Sequence, residues 1–193
     1  MKKAVLFLCV ALAAAATAQT KAPVAGFGGV NWGVSMTEAK KGLKGKIVFE
    51  DGKKLIVTRD GEITYRYGFF SKETVKPEEG AASSSKQAQS QPAAEPKFFY
   101  AVSEFPYLLL PKLKEKMVAQ YGEPTGDNVK KNQGAVMWDS GSGVVIVWVD
   151  AYEKKPFCRK ISYISKDIAK ELNTYQEELF SKKEMEVLKS LVP

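Results

Sequence analysis

Between Gly28 and Leu43 the chain reads GGVNWGVSMTEAKKGL, and its apolar positions change rhythm partway through. Met36, Ala39 and Leu43 recur at helical spacing, while Lys40, Lys41 and Lys44 fall on the other side. Ser35 stands three residues before Glu38, the spacing at which a Ser side chain accepts the N3 amide and the Glu reaches back. The pattern predicts a capped helix over about 36–44. A helix this short holds only when packed on something. The rhythm then turns to period two: Lys46–Glu50, Lys54–Arg59 and Glu62–Phe70, separated by Asp51-Gly52 and Asp60-Gly61. Asp-Gly pairs between β-rich runs predict hairpins, because such turns need positive φ. In the last run Ile63, Tyr65, Tyr67 and Phe69 alternate with Thr64, Arg66 and Gly68, a half-buried strand with the helix on its apolar face.

Residues 74–97, TVKPEEGAASSSKQAQSQPAAEPK, break the pattern with three prolines and no aromatic. Such a composition cannot bury enough apolar surface to offset its ordering entropy, which predicts a disordered insertion. Phe69-Phe70 and Phe98-Phe99 flank it and place it at the tip of a long hairpin. A strand over 98–105 and a helix over about 107–121 follow, the helix with Leu109, Leu110, Leu113, Met117 and Tyr121 as its stripe. Pro111 fits only in the first turn of that helix, and Gly122 and Pro124 stop it. Strands are predicted at 134–139, 143–152 and 157–165. Gly143 to Val149 is apolar at every position after the glycine, which predicts a central strand covered on both sides. In Lys166 to Val192, Ile168, Leu172, Tyr175 and Leu179 form one stripe. A second capping box at Ser181 and Glu184 predicts a break and a short last helix through Leu188. The sum is an α+β fold: antiparallel sheet with helices packed on one face, built from two helix-then-meander units. The units are assigned to 19–73 and 98–193, with the insertion 74–97 between them.

The first eighteen residues stand apart. Lys2-Lys3, the apolar run Ala4–Ala15 and Ala16-Thr17-Ala18 have the three parts of a cleaved signal peptide. Cys9 lies too early to mark a lipid-attachment site, and no later segment is long and apolar enough to span a bilayer. The expected location is therefore periplasmic or secreted. Cleavage after residue 18 lowers the formal charge from +7 to +5. The lysines are mixed with acids, as in Glu177-Glu178 against Lys182-Lys183, whereas nucleic-acid proteins gather theirs into a stripe. No nucleic-acid partner is expected, and only a weak attraction to anionic surfaces remains. One cysteine would survive, Cys158, so no internal disulfide can form. Simple alternation puts Cys158 on the strand face of Lys160 and Ser162, away from Phe157, Ile161 and Tyr163. It reads as a small strand filler, the sharper alternative being an exposed thiol able to link two chains.

The chemistry is mostly exclusion. The chain has no His, which removes Ser-His-Asp and Cys-His catalysis and His-ligated zinc. Asp139-Ser140-Gly141-Ser142-Gly143 reads as a polar hairpin turn rather than a nucleophile loop. Ser83 and Lys86 match S-x-x-K, but inside the low-complexity tract instead of at a helix start. Gly28 and Gly33 have the spacing of a phosphate loop, yet Val34 stands where the phosphate-binding Lys must be. Gly26 and Gly28 begin a G-x-G with Asn31 in place of its third glycine. Glu78-Glu79 and Glu177-Glu178 are carboxylate pairs without a cleft signal. No catalytic, cofactor or metal residue is assigned.

At the opening stretch and at Tyr121-Gly122-Glu123-Pro124 the chain resembles small secreted bacterial proteins of the SmpA/OmlA (BamE-like) and β-lactamase-inhibitor-protein-like type. Their units open on a W-G-x-S-x-x-E-like helix start, and a later helix ends in Y-G-x-P before a strand bearing a Trp, here Trp138. Ser35-Met36-Thr37 matches the G-M-T helix start of the SmpA group loosely. The chain lacks the lipidation Cys of the lipoprotein members. The resemblance implies helices packed on an antiparallel sheet and used for protein–protein contact, with no site residue carried over. The expectation for function is a non-enzymatic protein-binding or scaffold module of the bacterial envelope. Its partner would be another envelope protein, met by a sheet face or by the 74–97 loop. The alternative is a periplasmic small-ligand carrier or carboxylate-based hydrolase that uses aromatics such as Tyr65, Tyr67, Trp138 and Trp148.

Overall fold

The computed structural model describes residues 22–72 and 95–191; the leader expected over 1–18 and most of the expected insertion lie outside them. The elements in chain order open with β1 (Gly26–Phe27) and β2 (Val30–Asn31), then α1 (Met36–Ala39) with a 3-10 turn (Lys40–Gly42). There follow β3 (Lys46–Glu50), β4 (Leu55–Asp60), β5 (Ile63–Phe70), β6 (Lys97–Leu109) and α2 (Leu110–Tyr121). The rest are β7 (Gly126–Asp127), β8 (Gly134–Ser140), β9 (Gly143–Tyr152), β10 (Lys155–Ser165) and α3 (Lys166–Leu191). The fold is α+β. Strands β3 to β10 form one eight-stranded antiparallel sheet in the order β3-β4-β5-β6-β10-β9-β8-β7. Two four-stranded meanders, each preceded by a helix, run from the outer edges inward and meet at β6 and β10. Across the insertion Phe69 is paired with Phe98 and Phe70 with Lys97, so it joins neighbouring strands of the same sheet.

One face of the sheet carries the core. Under α1 lie Ile56, Tyr67, Phe69, Phe98 and Ala101; under α2 lie Val136, Trp138, Val145, Val147 and Ile161. Trp32 and Tyr163 pack against both groups and join them. Trp32 packs at a tilt against Phe98 with centroids 5.0 Å apart, and its Nε1 donates to the Val24 carbonyl at 2.8 Å. Ser35 caps α1 as expected, its Oγ accepting from the Glu38 amide at 3.2 Å. Gly28 and Gly29, with φ of 64° and 92°, make the two-residue turn between β1 and β2 that such positive angles allow. The hairpin drops Phe27 onto Tyr163, centroids 4.6 Å apart.

Four expectations are corrected. Gln19 to Ala25 has no strand or helix period and is expected from the sequence as a loose arm, but Val24 is buried in the core. Its amide donates to the Ser140 carbonyl, and Ser140 Oγ donates to the Ala22 carbonyl. Strand β9 is not covered on both sides: Val145, Val147 and Val149 are buried, while Trp148 on the other face is 39 % exposed. Cys158 lies on the core face beside Ile161 and is fully buried, because β10 has a bulge between Cys158 and Lys160. One inserted residue reverses which side chains share a face. The thiol link between chains is thereby removed, and burial pushes the thiol pKa up to about 11. Finally, α3 runs unbroken through Ser181 and Glu184. No Gly or Pro interrupts this stretch, and its Glu, Lys, Met and Leu residues favour helix.

Candidate functional site

Helices α1 and α2 pack on the core face. Among the described residues the opposite face of the sheet is met by a helix only at one corner, where Tyr175 of α3 lies against Phe70 with centroids 5.8 Å apart. Alternation delivers to this open face Val144, Ile146, Trp148 and Asp150 from β9, and Met137 from β8. Arg66 of β5 and Glu104 of β6 meet there as an ion pair at 3.3 Å.

The bulge in β10 does more than bury Cys158. Cys158 is opposite Val149 and Lys160 is opposite Trp148, so Arg159 has no residue opposite it on β9. On the other side β6 spends extra residues between Glu104 and Leu108, among them Pro106, which has no amide to give a ladder. The irregularity lets consecutive cations reach the same face. Lys160 Nζ lies 4.8 Å from the centre of the Trp148 ring, and the Arg159 guanidinium 5.5 Å from that of Tyr107. Trp148 is fixed by its Nε1, which donates to Ser162 Oγ at 3.0 Å. Tyr107 and Tyr152 stack at 5.6 Å with planes 18° apart, and Phe157 meets both edge-on. Both tyrosines keep about half their surface in water. Beside them runs an open groove of about 610 Å³, lined among others by Glu62, Thr64, Glu104, Trp148, Asp150 and Arg159. Asp150 has Arg159 at 3.9 Å.

Amphipathic rings held by packing, together with Arg, supply contact area at low entropic cost, the composition that dominates the centres of protein interfaces. The other weighed aromatics lie elsewhere. Tyr65, Tyr67 and Trp138 are buried on the core face. Burial raises the hydroxyl pKa of both tyrosines, opposed in Tyr67 by the Lys44 amide that donates to it. Trp138 Nε1 donates to the Gly122 carbonyl at the end of α2. Of the four aromatics only Trp148 reaches the open face. Phe157 and Arg159 carry no sequence signal of their own, since strand alternation around a bulge misplaces them, and Tyr107 falls in the stretch expected as helix; Tyr152 follows Trp148 and Asp150 by plain alternation on β9. Gly141 and Ser142 form the turn between Ser140 and Gly143, as read from the sequence. Ser83, Lys86 and Glu78-Glu79 lie outside the described residues. Among the described residues no group of three His, Cys, Asp or Glu could hold a metal ion, and no helix is long and apolar enough to cross a membrane. No protein-family model, curated protein or solved structure matches the chain.

Proposed function

We propose that this is an exported, non-enzymatic protein-binding module of the bacterial envelope that receives its partner on the open face of the sheet. The observation that carries the reading is the bulge at Arg159, which sets Arg159 over Tyr107 and Lys160 over Trp148 on a face the helices leave bare. Export rests on the leader pattern of residues 1–18. That Glu104 and Asp150 in the groove each face a guanidinium supports recognition over acid–base work by a free carboxylate pair. The resemblance to β-lactamase-inhibitor-like units points the same way.

The test is comparative capture from the envelope of the producing cell. The wild type should retain a partner that the Trp148→Ala/Arg159→Ala variant releases, while deletion of residues 75–96 leaves retention unchanged. Loss of the partner on deleting the insertion, with none on changing Trp148 and Arg159, would move the contact from the face to the loop.

A further inference from the structure

Among the described residues, four other than glycine have positive φ, and they fall in two hairpin turns. Lys131 and Asn132, at 50° and 64°, form one between Lys130 and Gln133. Glu153 and Lys154, at 48° and 60°, form the other between β9 and β10. A two-residue turn with both angles positive favours glycine or Asn-Gly, and this chain uses Gly28-Gly29 in such a turn elsewhere. Lysine is strained there, because its Cβ crowds the following carbonyl. The turns are tied together across 22 positions of sequence, where Asn132 Nδ2 donates to the Lys154 carbonyl at 2.8 Å. Lys130, Lys131, Lys154 and Lys155 are thereby gathered at one end of the sheet, all four exposed. None of them has an ion pair among the described residues, since the neighbouring acids Asp127 and Asp150 face Lys114 and Arg159. Four lysines against the one acid Glu153 leave the two turns a net charge of +3. Next to them Tyr107, Leu108 and Tyr152 are exposed by 45, 46 and 51 %.

We infer that this two-turn tip docks on an anionic lipid membrane surface. The four lysines stand on hairpin ends and line none of the groove of about 610 Å³. They present a tip, not a channel that could grip an acidic chain, and a flat charged surface can meet all four at once. Half-exposed tyrosines, with an apolar ring and a polar end, suit the headgroup boundary where such rings collect. Lysine stems lie along that boundary while their ammonium groups reach the phosphates. In the sequence the two lysine pairs are only part of a scattered charge; the bond from Asn132 makes them one patch. The lysines lie outside the groove, so the docking tip does not depend on the reading of the open face.

The test is flotation of protein purified from the producing cell with vesicles of phosphatidylcholine, alone or mixed with phosphatidylglycerol. A lysine at an anionic surface is worth about fivefold in partition, so the net charge of the tip predicts about a hundredfold preference for the mixed vesicles. That preference should fall as salt is raised. Lys131→Gly/Lys154→Gly should lower binding to the mixed vesicles about twenty-fivefold. Its Tm should not fall, since glycine relieves both turns. Lys182→Gln/Lys183→Gln removes the same charge from exposed positions of α3 and should bind as the wild type does. Equal partition into the two vesicles, or no binding to either, overturns the proposal. So does a glycine variant that binds like the wild type, or an α3 variant that loses as much. Vesicles left unbound, with an acidic protein captured by the wild type and lost from the glycine variant, would assign the tip to a protein instead.

Discussion

Cys158 shows at the residue scale how one inserted position decides chemistry. With the thiol buried and its pKa pushed up to about 11, the native protein should resist alkylation near pH 8 and react at once in denaturant. Rapid native labelling, followed by mass spectrometry, would contradict the placement. Trp138 joins two jobs, filling the core and holding the end of α2. Trp138→Phe keeps most of the volume and leaves the part-buried Gly122 carbonyl without its donor, which should cost about 1 kcal/mol in denaturant titration. Asp51 accepts from the amides of Lys53, Lys54 and Leu55, and the Lys54 bond is the main cause of a pKa held below 3.8. A carboxylate lowered on folding contributes stability above its unfolded pKa and loses it as pH falls through the folded one. Asp51→Ala should therefore cost about 1 kcal/mol at pH 7, by analogy with a lost cap. The gap in Tm from wild type should narrow below pH 3.8. A gap that stays constant down to pH 2 would show that Asp51 does not hold this turn as a charge.

Helix start and strand alternation were legible in the elements because short-range geometry sets them. Ser35 caps α1, and β9 has the bounds that its apolar run predicts. The misses have long-range causes. The bulge at Arg159 answers to its neighbours β6 and β9, and nothing in Cys158-Arg159-Lys160 announces it. The site suffered most from this, since only Trp148 of its aromatics had been singled out. Gln19 to Ala25 read as a loose arm because the bonds that seat it, from the Val24 amide and to the Ala22 carbonyl, join Ser140, more than a hundred positions away. That arm explains Gly143, where an added Cβ would meet the Val24 carbonyl oxygen at 2.4 Å. Gly143→Ala should destabilise by about 1–3 kcal/mol, as overpacking does. A neutral outcome in thermal unfolding would mean the arm does not lie there. In α3, Ile168 is buried, but Phe180, Val187 and Leu191 are 75, 55 and 70 % exposed. Amide exchange in the isolated protein should therefore quicken beyond Leu179, where tertiary packing ends. Uniform protection along the helix would contradict that gradient.

For the whole molecule, the arrangement that matters is a sheet with α1 and α2 on one side and α3 touching the other only at one corner. Trp32 and Tyr163 join the two core groups under α1 and α2, while the Arg159 bulge populates the other face with paired cations and rings. On the proposed reading stability belongs to one face and recognition to the other, so changes to the open face should alter binding and leave Tm nearly untouched. The most direct measurement puts a photo-crosslinking amino acid in place of Ile146, half-buried on the open face, and in a control at the exposed Glu38 of α1. In the producing cell, irradiation should give a discrete adduct to another protein from position 146 and none from position 38. Adducts from position 38 alone, or from neither, would contradict a partner on the open face.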